Sequence, residues 1–164
     1  MTSRLSLAAG TLAAVGTLSI GIAPALAIDL SESVEIAVPA ADAWAAIGDF
    51  CSIPDWHPVI AACEQFEQDG KTMRTLTTGD GGELLEELNE LNEGAMSFTY
   101  SIIESPLPIA DYVSTMTVAE AGESATVTWS STFNAAGVSD DEALEVMTGI
   151  YRAGLDELKA KLSP

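Results

Sequence analysis

The residues best suited to chemistry crowd into one stretch of this chain. Between Gly48 and Glu64 stand the only histidine, His57, both cysteines, Cys51 and Cys63, and Trp56, with Pro54 and Pro58 beside them. Such a set could hold a metal, arm a thiol nucleophile or form a disulfide. One histidine is too few for a Cys/His zinc site, and the cysteine spacing is not that of a zinc ribbon. Elsewhere there is no Gly-x-Ser-x-Gly and no dinucleotide fingerprint, and the glycines of 79–82 precede a strand rather than a phosphate-binding helix. The acidic run 83–93 lacks the alternating ligands and mid-loop glycine of a calcium loop. No metal and no cofactor are expected.

The compartment decides among the cysteine chemistries. Residues 1–27 read as a secretory signal peptide, with Arg4 in its charged end, an apolar run from Leu5 to about Ile22, and Pro24-Ala25-Leu26-Ala27 as the cleavage pattern. No later apolar run is long enough to span a bilayer, so no membrane span is expected after cleavage. The protein is therefore expected to be exported, periplasmic or extracellular. There the two cysteines should pair as Cys51–Cys63, which removes the nucleophile. All 25 acidic residues follow the leader, leaving five basic residues and a formal charge of −20. Such a surface repels nucleic acid and anionic lipid, while a basic protein partner stays open.

The elements that must position these residues follow from periodicity. Ser33–Val38 alternates as a strand, and 40–50 reads as a short helix, followed by an irregular or one-turn helical link over 51–58. Strands are expected at about 60–67, 71–78, 83–91, 95–104, 111–119 and 124–134, with Gly-rich turns between them. The run 83–93 has helical propensity but also splits onto two faces, and its flanking turns favour a strand. After Ser139, an N-cap with Glu142 three residues on, a helix of about 23 residues presents Ala143, Met147, Ile150, Tyr151, Gly154, Leu155, Leu158 and Leu162 on one side. That apolar side requires a concave sheet to cover it.

This order is similar to the helix-grip fold of the START/Bet v 1-like (SRPBCC) superfamily, in particular its bacterial polyketide cyclase/dehydrase and lipid-transport branch. The carriers are the Val-Pro-Ala-Ala-Asp-Ala-Trp-Ala-Ala-Ile-Gly-Asp-Phe opening from Val38 and Trp56-His57-Pro58. With them go the Leu-Glu-Glu-Leu strand, the Ser101–Pro108 hairpin with Tyr112, and Val127-Thr128-Trp129. The exported, cysteine-bearing form also looks like periplasmic proteins called MxaD-like. The resemblance implies an α+β domain over 28–164. A curved antiparallel sheet of about seven strands wraps a long C-terminal helix, and two short helices follow the first strand.

The resemblance also implies a largely apolar cavity for small hydrophobic or amphipathic ligands, with loops 77–82 and 105–110 at its mouth. His57 matches a lysine that meets the ligand carboxylate in the related plant abscisic acid receptors. It could supply a hydrogen bond or a titratable charge, or merely cap the start of its strand. Glu86 matches a pocket carboxylate of the same receptors, with Glu87 on the opposite face. Tyr112 and Ser114 match pocket positions. Ser130, with Thr128, is placed on the pocket side of the next strand, and Trp129 and Phe133 on the outer face. Met147 and Tyr151 would line the cavity from the helix.

Three functions fit. The first is an exported carrier or sensor for a small hydrophobic ligand. The second is a cyclase or dehydratase-like enzyme using Glu86, His57 and Tyr112 as acid, base and enolate stabiliser. The third is an acidic accessory protein that docks on a basic partner. The carrier is preferred, leaning away from an enzyme, because polar candidates are few and no proton-relay pair is evident.

Overall fold

Residues 27–163 are described by the computed structural model; the expected leader, but for Ala27, lies outside them. The chain runs through β1 (Ile28–Ile36), α1 (Ala40–Ile47), β2 (Ile60–Gln68), β3 (Lys71–Thr78), β4 (Glu83–Asn92), β5 (Ser97–Glu104), β6 (Ile109–Ala121), β7 (Ser124–Ala135) and α2 (Asp140–Leu162). A 3₁₀ turn at Ile53–Asp55 follows α1 and is the second short helix expected after β1.

Strands β2 to β7 form a meander, and β1 returns to pair with β7. The sheet order is β1-β7-β6-β5-β4-β3-β2, antiparallel throughout. Helix α2 crosses the concave face and buries Met147, Tyr151, Leu155 and Leu158 against it. Each such side chain contributes roughly 1.5–3 kcal/mol through burial. The helix starts as expected, with a capping box between Ser139 and Glu142. This is the helix-grip fold, with its seven-stranded curved sheet.

Two elements begin or end more than two residues away from the sequence expectation. β1 begins at Ile28 rather than Ser33, because its polar first half pairs with β7 from Ile28↔Phe133 onward. Along β1 the exposed Asp29, Ser31, Ser33 and Glu35 alternate with the less exposed Ile28, Leu30, Glu32 and Val34, so one face of the strand is open to solvent. Helix α1 ends at Ile47 with Gly48 as its C-cap, whose N–H still bonds the Trp44 carbonyl and whose missing Cβ leaves room for the Trp44 ring. The run 83–92 is the strand expected of it despite its helix-forming residues, since both of its neighbours offer a ladder.

The Cys51–Cys63 disulfide is present, with the two Cα atoms 5.6 Å apart. It ties the loop after α1 to β2 and closes the segment that carries Trp56 and His57. Among the described residues no helix is long and apolar enough to cross a membrane.

Candidate functional site

Between the sheet and α2 lies a cavity of about 130 Å³. Its walls are mainly apolar, with Ile60, Leu76, Leu84 and Ile102 from the sheet, Leu107 from the β5–β6 loop, and Met147 and Ile150 from α2. Polar side chains reach it from four directions: His57, Glu86, the tyrosines Tyr100, Tyr112 and Tyr151, and Trp129.

Glu86 points inward from β4, as strand parity allows, and is 3% exposed. Its cross-strand partner on β3 is Arg74, itself 2% exposed. Arg74 Nε donates to Glu86 Oε2 at 2.5 Å, and Nη1 donates to the carbonyl of Phe50. The guanidinium also lies 4.0 Å over the Phe50 ring and 5.1 Å from that of Tyr100. Burial pushes the Glu86 carboxyl up from its ordinary value, and the Arg74 charge pulls it back. Arg74 keeps its proton and, being buried, needs a counter-charge, and the Glu86 carboxyl 2.5 Å away supplies it, so the two groups stand as an ion pair against the upward push of burial. The sequence alone does not single out Arg74. A signal for it exists, because folding 71–92 into a hairpin about Asp80 sets Arg74 opposite Glu86.

His57 does line the cavity, but its nitrogens are engaged elsewhere. Nε2 faces the carbonyl of Ile150 at 3.1 Å, and Nδ1 receives the Val59 N–H at 3.4 Å. A carbonyl can only accept, so Nε2 carries the hydrogen and the ring is neutral. Burial, the larger effect, holds its pKa below the ordinary value, and the Ile150 carbonyl partly opposes this. The histidine that the resemblance set against a ligand charge is instead a strut between the start of β2 and the middle of α2. Gly154 makes the strut fit, since a Cβ there would stand 2.5 Å from His57 Cδ2.

The tyrosines form the inner polar end. Tyr112 and Tyr151 hydroxyls are hydrogen-bonded to each other, and Tyr100 lies 3.3 Å from Tyr112. Ser114 is fully buried behind this group and 3.4 Å from the Tyr151 hydroxyl, so it supports the wall rather than lining it. Trp129 stacks on Tyr151, with centroids 4.1 Å apart, and its Nε1–H donates to Tyr100 and Ser114. Burial raises the pKa of all three tyrosines, so they stay protonated.

The β7 parity corrects the sequence expectation. Ser130 and Thr128 lie on the outer side of the sheet, where Ser130 lines a shallow surface groove with Asp29, Val113 and Thr115. Trp129 and Phe133, expected outside, are 4% and 0% exposed and belong to the core. The physical reason is that Ala125, Val127, Trp129 and Phe133 share one face, and that apolar face must be buried. Met147 and Tyr151 stand where they were expected. Trp56 is buried, edge-on to both His57 and Trp129.

Comparison with known proteins agrees with this architecture. The family profile described as polyketide cyclase / dehydrase and lipid transport matches residues 27–163. No functionally curated protein matches the chain. Among solved structures, a Bacillus thuringiensis protein is 35% identical, with TM-score 0.78 over 82% of this chain and 98% of that one. The protein XoxI from Bacillus cereus is 36% identical, with TM-score 0.77 over 82% of this chain and 94% of that one. The Zhui aromatase/cyclase from Streptomyces sp. R1128 shares the fold at 16% identity, with TM-score 0.69 over 84% of this chain and 94% of that one.

Proposed function

Because the chain belongs to the polyketide cyclase / dehydrase and lipid transport family, we propose that it is an exported binding protein for a small hydrophobic ligand. The observation that carries this reading is the cavity itself, apolar along its sides and polar at Glu86 and the tyrosine end. Such a lining gains affinity from apolar burial and orientation from a few fixed polar groups. A cavity of about 150 Å³ lined by apolar side chains takes up benzene. The volume of about 130 Å³ here therefore suits one ring or a short branched chain.

Export is supported by the expected leader and by the disulfide, which persists in an oxidising compartment. The enzyme alternative is weakened, because His57 has no free nitrogen to move a proton. Glu86 and Tyr112 would then act without it.

The test is to purify the mature protein from its own host and examine it by native mass spectrometry before and after organic extraction. A bound small molecule that leaves on extraction is the expected result. A ligand-free protein that also takes up no small aromatic probe would overturn the reading. The same spectrum gives the mature mass, which should correspond to a chain starting at Ile28.

A further inference from the structure

The hydrogens of the cavity wall can be counted one by one. Ser114 Oγ donates to the Ser130 carbonyl at 2.8 Å, and that acceptor takes only one direction. The Tyr151–Ser114 contact then needs its hydrogen from Tyr151, the Tyr112–Tyr151 contact from Tyr112, and the Tyr100–Tyr112 contact from Tyr100. Only this order, Tyr100 to Tyr112 to Tyr151 to Ser114 to the Ser130 carbonyl, supplies every contact with one hydrogen. Each phenolic hydrogen is thereby committed along the wall, and what the hydroxyls can still offer is lone pairs.

The remaining polar groups follow the same rule. The Trp129 N–H is taken by Tyr100 and Ser114. His57 Nε2–H is taken by Ile150. Thr78, at the rim, donates into its own turn, to Asp80 and Gly82. Glu86 is a carboxylate and can only accept. Arg74, the cation nearest the wall, lies behind it and holds Glu86 and the Phe50 carbonyl.

We propose that this wall, acceptor throughout and without an exposed cation, selects ligands that carry a neutral hydrogen-bond donor, such as a phenol or alcohol hydroxyl, and rejects carboxylates. A hydroxyl would donate to Glu86 or to a tyrosine oxygen, a charge-assisted bond in the first case. A carboxylate has only acceptors, meets no donor, and lies close to another carboxylate in a water-poor space. This inference rests on the cavity being a binding site, and it narrows what the site accepts.

Benzene, phenol and benzoate, titrated into the full mature protein at neutral pH by calorimetry and by amide NMR shifts, separate the two ideas. Benzene reports the cavity, phenol the donor requirement and benzoate the rejection of carboxylates. Phenol should bind at least about tenfold tighter than benzoate, with shifts centred on Tyr112, Trp129 and Tyr151. Glu86→Gln places amide donors on the wall and should narrow the phenol-to-benzoate ratio at least threefold, roughly. Because that variant leaves Arg74 unpaired and can fail to fold, Tyr112→Phe provides a second check. It breaks the hydroxyl run, frees the Tyr100 hydrogen, and should narrow the ratio in the same direction. Benzoate binding as tightly as phenol, or a ratio unchanged in a folded variant, would overturn the selectivity and leave the cavity reading standing. Uptake of none of the three probes would overturn the cavity reading instead.

Discussion

Two glycines of α2 should respond in opposite directions to the same substitution. At Gly154, a Cβ would lie 2.5 Å from His57 Cδ2, 3.0 Å from Nε2 and 3.1 Å from Trp56 Cζ3. These are not the loose ends of flexible chains. The imidazole is held by Ile150 and Val59 and boxed between Trp56 and Trp129, whose centroids lie 5.8 and 5.9 Å away. Replacing glycine by alanine in a helix gains about 1 kcal/mol of intrinsic stability. Overpacking here costs about 1–3 kcal/mol, and losing a buried hydrogen bond costs a similar amount. The balance for Gly154→Ala is a net loss of about 1–5 kcal/mol. Gly149 lies on the exposed side of the same helix, and a Cβ added there would meet nothing within 4 Å. Gly149→Ala should therefore stabilise by up to about 1 kcal/mol. Urea unfolding followed by tryptophan fluorescence measures both. If Gly154→Ala stabilised the protein as Gly149→Ala does, the His57 strut would not be the rigid contact argued above.

Three further outcomes follow from the site. Replacing both Cys51 and Cys63 by alanine should lower stability by about 3 kcal/mol, since the bridge closes a loop with a sequence separation of 12; a loss near zero in urea titrations would show that the loop is ordered without it. Arg74→Ala strands the buried Glu86 and should cost about 3–5 kcal/mol, whereas the double change to Arg74→Met with Glu86→Leu should cost much less; equal losses in denaturant titrations would argue against a coupled pair. The His57 pKa is lowered on folding from 6.5, so the unfolded chain takes up a proton first as pH falls. The histidine's contribution is thus fully present above pH 6.5 and is lost as pH drops through that value toward the folded pKa. Wild type minus His57→Gln, compared across this window by urea unfolding, should decrease toward acid; an increase would mean that the buried ring is charged.

Much of the fold was legible because its signals are local. Alternation and glycine turns mark β2 to β7, and the Ser139 capping box opens α2 where it was expected. The site was legible in part, for reasons that differ by residue. Met147 and Tyr151 could be located because helical period is set by nearest neighbours, whereas for Glu86 and Tyr112 parity offered two faces and the family resemblance chose the inner one. Ser130 faces outward, against expectation, because burial of the Ala125, Val127, Trp129 and Phe133 stripe fixes the parity of β7. Arg74 escapes notice because an isolated arginine on a strand reads as solvated. Only the register of β3 on β4 gives it a buried carboxylate partner.

The roles of the shared residues needed the tertiary fold. By itself, the amino-acid order determined the succession of strands and helices, the acidic balance and the pairing of two cysteines, all of which follow from composition and short-range pattern. It did not determine that His57 would be neutral and engaged at both nitrogens. That depends on a carbonyl of Ile150, distant in the chain, and on the missing Cβ of Gly154. Nor did it determine which way the hydroxyl hydrogens run. A hydroxyl can donate or accept, and its choice is made by the neighbours that β5, β6, β7 and α2 bring together. Hydrogen-bond direction is a property of the assembled wall, because no residue carries it alone.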